Sequence, residues 1–259
     1  MTILQQLAEH AAYRCAEAKK VISEEELKRQ AYSLPKGTFA FENALKKPGL
    51  SFICECKKAS PSKGVIAEEF PYLQIAKEYE AAGADCISVL TEPKWFLGSD
   101  RYLREIAAEV SIPIIRKDFT VEPYMIYEAK VMGASAVLLI CSILTPEQLQ
   151  QYLAICEELG LSALVETHDE AEAAMALEAG ARLIGVNNRN LKDFTVDTEN
   201  SRRLRNEIPK GVLFVSESGI RDVCDIRAVK RMGADAVLIG ETLMRAADKR
   251  RTLEELRNA

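Results

Sequence analysis

Four segments of the chain repeat one pattern, in which a run of helix formers gives way to Gly-Ala and then to an apolar, β-branched run. They are AAGADCISVL from Ala81, VMGASAVLLI from Val131, EAGARLIGV from Glu178 and RMGADAVLIG from Arg231. Their glycines, Gly83, Gly133, Gly180 and Gly233, are 50, 47 and 53 residues apart. A glycine there supplies a left-handed helix cap, and the run that follows reads as a buried parallel strand. A period near 50 is too long for one strand-helix unit and right for two. Four further strand-like runs fill the gaps, SFICECK from Ser51, IPIIRK from Ile112, LSALVE from Leu161 and GVLFVSE from Gly211. Between the eight runs lie stretches such as PEQLQQYLAICEELG, apolar on one face and charged on the other. Strict alternation of strand and helix implies a parallel sheet, and eight units of about 26 residues suit a closed (β/α)8 barrel, the TIM-barrel form of the α/β class. An open doubly wound sheet is the alternative, but no G-x-G-x-x-G follows the first strand.

Residues 1–47 precede the first strand. Their LQQLAEHAAYRCAEAKKVISEEELKRQA reads as one or two amphipathic helices ended by Ser33-Leu34-Pro35. The segment is too short for a core of its own, so residues 1–259 are read as one barrel domain with 1–47 as an N-terminal helical extension. Thirty-four basic against 39 acidic residues give a formal charge of -5, which speaks against a nucleic-acid partner or an anionic membrane surface. No apolar run approaches the ~20 residues that span a bilayer. The first twenty residues carry charges at helical spacing, unlike a secretion signal. Seven cysteines, mostly inside apolar runs and without a CxxC pair, read as reduced, buried thiols. The expectation is a cytoplasmic protein.

In a parallel barrel, chemistry sits at the C-terminal ends of the strands, and residues two apart share a face. Glu55 and Lys57 share the face of Ile53, with Cys54 and Cys56 opposite; Lys117 follows Ile115 and Glu166 follows Leu164. The sixth run continues into Asn187-Asn188-Arg189 and the seventh into Ser216-Glu217-Ser218-Gly219. One Glu-Lys neighbour pair is as easily a buried ion pair with no chemistry. Two lysines and two glutamates converging on one barrel mouth are costly to desolvate and point to a working site. Amine facing carboxylate is general acid and base equipment that needs no metal.

Strand 7 ends Ser218-Gly219-Ile220 and strand 8 ends Ile239-Gly240-Glu241-Thr242. Glycines at these two ends let backbone N–H groups approach an anion, helped by the positive end of a following short helix, so a phosphate is expected there. The loop Lys58-Ala59-Ser60-Pro61-Ser62-Lys63-Gly64 is either a lid with phosphate-donating serines or an ordinary surface loop. Of the two histidines, His10 is expected on the helix surface and His168 follows Glu166 by two. Trp95 either packs over the barrel mouth or fills its loop, and the second is expected. No Ser-His-Asp order, HExxH or P-loop pattern is present.

The motifs CECKKASPSKG (54–64), RKDF (116–119), LVETH (164–168), IGVNNRNL (184–191), SESGI (216–220) and LIGETLMR (238–245) together resemble the indole-3-glycerol-phosphate synthase family. The resemblance spans the chain, with cysteines flanking Glu55 where apolar neighbours are more usual. It implies a (β/α)8 enzyme of tryptophan biosynthesis, a carboxy-lyase without cofactor or metal. The reaction it implies closes the indole ring of 1-(2-carboxyphenylamino)-1-deoxyribulose 5-phosphate, releasing CO2 and water. By the same resemblance Lys117 is the general acid, Glu166 its partner in proton transfer and Glu55 the residue ordering the network. Lys57 takes the substrate carboxylate and is a second candidate acid. Asn187 and Arg189 hold the anthranilate part, while Ser60, Ser218, Gly219, Gly240 and the backbone of Glu241 face the phosphate. An unpaired lysine in such a site is expected to have a lowered pKa, making activity depend on pH. The expected partner is a small phosphorylated substrate, and the expected assembly a monomer or weak homo-oligomer. A phosphoribosylanthranilate-isomerase-like barrel, a thiazole-type synthase and a non-catalytic metabolite-binding barrel are the competing readings; release of CO2 separates the isomerase.

Overall fold

A computed structural model describes residues 2–190 and 194–259. Leu191, the last residue of the sixth-strand motif, lies outside the described residues. Eight parallel strands close into a barrel. They are β1 Ser51–Cys56, β2 Cys86–Leu90, β3 Ile114–Lys117, β4 Ala136–Ile140, β5 Ser162–Thr167, β6 Leu183–Asn187, β7 Leu213–Glu217 and β8 Ala236–Ile239. Closure is direct: β8 pairs with β1, Ser51 opposite Ala236 and Ile53 opposite Leu238. The (β/α)8 expectation holds, and with it the eight strands placed from the repeat.

The helices, in chain order, are α1 Ile3–Val21, α2 Glu24–Ser33, α3 Ala40–Leu45, α4 Tyr72–Ala81, α5 Asp100–Glu109, α6 Pro123–Val131, α7 Pro146–Leu159, α8 Glu170–Glu178, α9 Glu199–Arg205, α10 Val223–Arg231, α11 Glu241–Arg245 and α12 Lys249–Arg257. The repeated glycines end α4, α6, α8 and α10 in one way. Gly83, Gly133, Gly180 and Gly233 have φ of 85°, 91°, 86° and 75°. The alanine after the first three donates its N–H to the carbonyl five residues back, Ala84 to Tyr79, Ala134 to Ala129 and Ala181 to Ala176. That bond is the signature of a Schellman cap, and it turns each helix straight into the next strand. Thus the repeat encodes the helix-to-strand corners of the barrel.

The N-terminal extension holds two long helices and a short third one that the sequence pattern does not reveal. Thr2 caps α1 in a reciprocal capping box with Gln5, and Ser23 caps α2. The third, α3, is only six residues, too short for a readable period, yet Phe41, Glu42 and Leu45 are buried. It packs at the N-terminal ends of the strands, where Ser162 Oγ accepts from Glu42 N–H. α1 lies at the other end, with Arg14 pairing Asp118 just past β3. His10, expected on the surface, is a correction: its ring packs edge-on against Trp95 at 5.3 Å and its Nδ1 sits 3.2 Å from Glu92 Oε1. Trp95 therefore packs between its loop and α1, and it is not among the residues lining the barrel mouth. No helix among the described residues is long and apolar enough to cross a membrane.

Candidate active site

The alternation within each strand decides which side chains enter the barrel mouth. Glu55 from β1 and Lys57 just past it, Lys117 from β3, Glu166 from β5, and Asn187 from β6 with Arg189 two residues beyond all line one cavity of about 700 Å³. Ser60, Ser218, Gly219 and Glu241 line it too. Cys54 and Cys56 point the other way and are buried behind the barrel wall, so the substitution flanking Glu55 leaves the cavity untouched. Apolar side chains complete the walls, among them Leu138, Ile140, Leu238, Phe96 and Phe119. Ile3 and Leu7 of α1 reach the rim.

Charges meet at the floor in two groups. Lys57 Nζ donates to Glu55 Oε2 at 2.5 Å, and Ser88 Oγ donates to the other Glu55 oxygen at 3.4 Å. Lys117 Nζ donates to Glu166 Oε2 at 3.2 Å and lies 3.5 Å from Glu217 Oε2. The strand register produces this convergence. Glu166 stands beside Gly185, and Glu217 stands between Asn187 and Leu238. Glycine at 185 makes room for the Glu217 carboxyl, because a β-carbon there would lie 2.0 Å from Glu217 Oε1 and displace it. Gly240 serves the first group in the same manner, since its β-carbon would lie 2.3 Å from Glu55 Oε2 and 2.8 Å from Lys57 Nζ. Its space therefore belongs to the Glu55–Lys57 pair, an additional reason for glycine beyond the phosphate turn read from sequence.

Lys117 is not the unpaired lysine of the sequence expectation, and its pKa moves the opposite way. Burial opposes its charge, but the carboxylates of Glu166, Glu217 and Glu55 outweigh burial and hold the ammonium above its ordinary value. Burial likewise opposes the charge on Glu166, yet Lys117, His168 and a hydrogen bond from Asn187 keep it below the usual carboxylate range. Glu217 goes up to about 7, pushed by burial and by the neighbouring Glu166 and Glu55 charges against the pull of Lys117. Its Oε1 has no hydrogen-bond partner among the described residues. The floor thus holds a charged acid, an ionised base and a carboxyl that titrates near neutrality, the separation of pKa values that acid-base chemistry uses.

The rim opposite carries the residues that the sequence reading expects to face a phosphate. Ser218 takes φ 67°, unusual without glycine, and Gly219 follows at 87°. Ser218 Oγ donates to Asn187 Oδ1 at 3.0 Å, and the same oxygen accepts from Arg189 N–H at 3.0 Å. Arg189 Nη1 donates to Phe194 O at 3.1 Å. Gly240 is the N-cap of the short α11, which begins at Glu241. The loop after β1 folds into a two-stranded ribbon, Ala59–Ser60 against Gly64–Val65, and leans over the mouth. Lys63 Nζ comes within 3.6 Å of Glu241 Oε1, so the loop spans from β1 to the start of α11.

Glu217 and Lys63 are cavity residues that the sequence reading did not select. Alternation from Val215 places Glu217 inward, a signal equal to the one that found Glu166. What alternation lacks is the knowledge that Gly185 opens space for its carboxyl. Lys63 sits in a loop, where no period marks the side that faces the cavity.

The family model for indole-3-glycerol phosphate synthase matches residues 4–256. The indole-3-glycerol phosphate synthase of Ruminiclostridium cellulolyticum is 56% identical over 258 residues, covering 99% of each chain. That of Lachnoclostridium phytofermentans is 50% identical, again over 99% of each. Among solved structures, 3-hexulose-6-phosphate synthase has a TM-score of 0.63 at 17% identity, covering 81% of this chain and 99% of its own. Thiamine phosphate pyrophosphorylase from Pyrococcus furiosus has a TM-score of 0.61 at 19% identity, covering 84% and 96%. These two likenesses speak for the barrel alone. With matching motifs at six strand ends and matches running the length of the sequence, the chain belongs to the indole-3-glycerol phosphate synthase family.

Proposed function

We propose that Lys117 protonates the ketone oxygen of 1-(2-carboxyphenylamino)-1-deoxyribulose 5-phosphate while the ring carbon bearing the carboxylate attacks. The observation that carries this reading is Lys117 Nζ between Glu166 and Glu217 at the cavity floor. Protonation of that oxygen develops as the new C–C bond forms. Loss of CO2 then returns the electron pair to the ring. In the dehydration that follows, Lys117, reprotonated from water after the first transfer, gives a second proton to the departing hydroxyl, and Glu166 takes one from carbon. Glu166 suits the second role because charged Lys117, His168 and the Asn187 hydrogen bond hold its carboxylate ionised and ready to accept.

Lys57 receives the substrate carboxylate until it leaves as CO2, released from Glu55 as the anionic substrate competes for it. Glu55 orders the two lysines. Asn187 and Arg189 hold the anthranilate ring and its carboxylate. Ser60, Ser218, Gly219, Gly240 and the N–H of Glu241 take the phosphate, which the positive end of α11 also favours. The 259 residues work as one domain with 1–47 as its extension, a reading supported by one core that joins Leu7, Cys15, Leu27 and Phe41 to the strand residues. We place the enzyme in the cytoplasm as a monomer or weak homo-oligomer, acting on a small phosphorylated substrate and not on nucleic acid. Six buried, unbridged cysteines fit that compartment.

The test is turnover of the carboxyphenylamino-deoxyribulose phosphate in EDTA, followed by indole fluorescence and by CO2 release. Wild type should turn over and Lys117→Ala should lose at least ~100-fold in kcat, the scale of a general acid. A Lys117→Ala enzyme as fast as wild type would remove Lys117 from the reaction.

A further inference from the structure

His168 begins the loop between β5 and α8, two residues beyond Glu166. Its ring bridges two carboxylates. Nδ1 lies 3.1 Å from Glu172 Oε2, and Nε2 lies 3.5 Å from Glu166 Oε1. The Glu172 end is built firmly. His168 donates its own backbone N–H to Glu172 Oε2 at 2.8 Å, and Ser142, in the turn after β4, donates its hydroxyl to the other Glu172 oxygen. Asn200 Nδ2 holds the His168 carbonyl at 3.1 Å. The Glu166 end is enclosed: Nε2 is buried and makes no hydrogen bond among the described residues.

A neutral imidazole has one N–H and cannot serve both neighbours. With the proton on Nδ1, the Nε2 lone pair faces a carboxylate oxygen; with it on Nε2, the Nδ1 lone pair faces Glu172, while Ser142 Oγ, 3.3 Å from Nδ1, gives its proton to that carboxylate. Only the imidazolium presents a donor to each. We propose that His168 is a positioning residue for Glu166, an imidazolium fixed by Glu172 that draws Oε1 and so leaves Oε2 on Lys117. This rests on the reading of Glu166 as the proton-transfer partner.

The charges facing the ring fit. Glu166 comes from β5, Glu172 from α8 and, at longer range, Glu217 from β7. Burial opposes the imidazolium, but the hydrogen bond to Glu172 and the Glu166 charge outweigh it and raise its pKa. In return His168 adds to Lys117 in holding Glu166 ionised. Removing the positive charge from position 168 therefore lets Glu166 protonate at higher pH.

Two measurements test this, and the first needs no change at His168. The chain has two histidines, so His10→Asn leaves a single imidazole to titrate by NMR. Its midpoint should lie above the ordinary ~6.5 and fall by about one unit or more when Glu166→Gln is added. A midpoint at or below that value, or one indifferent to Glu166→Gln, overturns the proposal. In turnover, His168→Gln should move the acid limb of the kcat profile up by about one pH unit, a ~10-fold loss below the limb, with KM little changed. A wild-type profile overturns the proposal. Turnover by Glu166→Gln at the wild-type rate would instead sink the reading of Glu166, whatever the imidazole midpoint shows.

Discussion

Gly185→Ala places a methyl group where the site keeps its most confined carboxyl. The new carbon would lie 2.0 Å from Glu217 Oε1 and 3.1 Å from Leu164 Cδ1. Real contacts of this kind essentially never fall below 3.0 Å, so Glu217 must retreat by about 1 Å. The clashing atom is the end of a rotatable side chain, not backbone, so the fold yields cheaply, by ~1–2 kcal/mol of overpacking. The site does not yield cheaply. Lys117 Nζ is 3.5 Å from Glu217 and 3.2 Å from Glu166, and a 1 Å displacement at the reacting centre can cost about 100-fold. Urea unfolding and kcat are measured together on Gly185→Ala, with Gly211→Ala as control because a β-carbon there meets nothing within 4 Å. The expected result is a modest stability loss with a kcat loss near 100-fold, and a control within ~0.5 kcal/mol at full rate. Adding Glu217→Ala should recover most of the stability cost, because the two changes share one contact. Unchanged kcat in Gly185→Ala, or costs that simply add in the double variant, would refute the argument that Gly185 exists to seat Glu217.

Glu217 also sets a pH dependence of stability. Its folded pKa of about 7 stands above the ordinary glutamate value of 4.5, so its contribution is fully present below the unfolded pKa and is lost as pH rises through 7. That loss is roughly 3 kcal/mol, and unfolding measured from pH 4.5 to 8.5 should show a flatter slope in Glu217→Gln. Asp118 works in the opposite sense, its pKa held down against burial by Arg14 and Arg116. Its stabilisation is present above the unfolded carboxylate's pKa and lost as pH falls through the folded one. Arg14→Ala, which leaves buried Asp118 short of its 2.6 Å partner, should cost ~3 kcal/mol in chemical unfolding. Gly240→Ala should raise KM and lower kcat together, because its β-carbon strikes both Glu55 and Lys57; wild-type kinetics would refute that assignment.

The barrel was legible because its corners are chemical. A glycine needed at positive φ after a helix recurs at Gly83, Gly133, Gly180 and Gly233, and a period-50 repeat cannot arise from unrelated elements. Most of the floor was legible because strand alternation is a hard constraint once the strand is placed, which is how Glu55, Lys117 and Glu166 were found. Besides Glu217 and Lys63, three things were not. α3 has too few residues to show a period. The sign of the Lys117 shift depends on how many carboxylates surround it, and that is a property of three strands, not of one. His10 looked exposed because its helix is at the chain start, while Glu92 and Trp95, which cover it, are some eighty residues away.

The floor brings three carboxyls, Glu55, Glu166 and Glu217, to two ammoniums, Lys57 and Lys117, and that imbalance has a consequence for how the site can work. With both lysines charged, all three carboxyls cannot ionise cheaply in a buried space, and the surplus proton settles where no hydrogen bond competes for the oxygen. That place is Glu217, whose Oε1 is unpartnered among the described residues. Glu166 escapes the same fate because Asn187, Lys117 and His168 all favour its ionised form. Two carboxyls flanking one lysine are thereby made unequal by their outer contacts, one ionised and one titrating near neutrality. A substrate carboxylate arriving at Lys57 adds negative charge to this floor, and the group with most room to respond by taking a proton is Glu217.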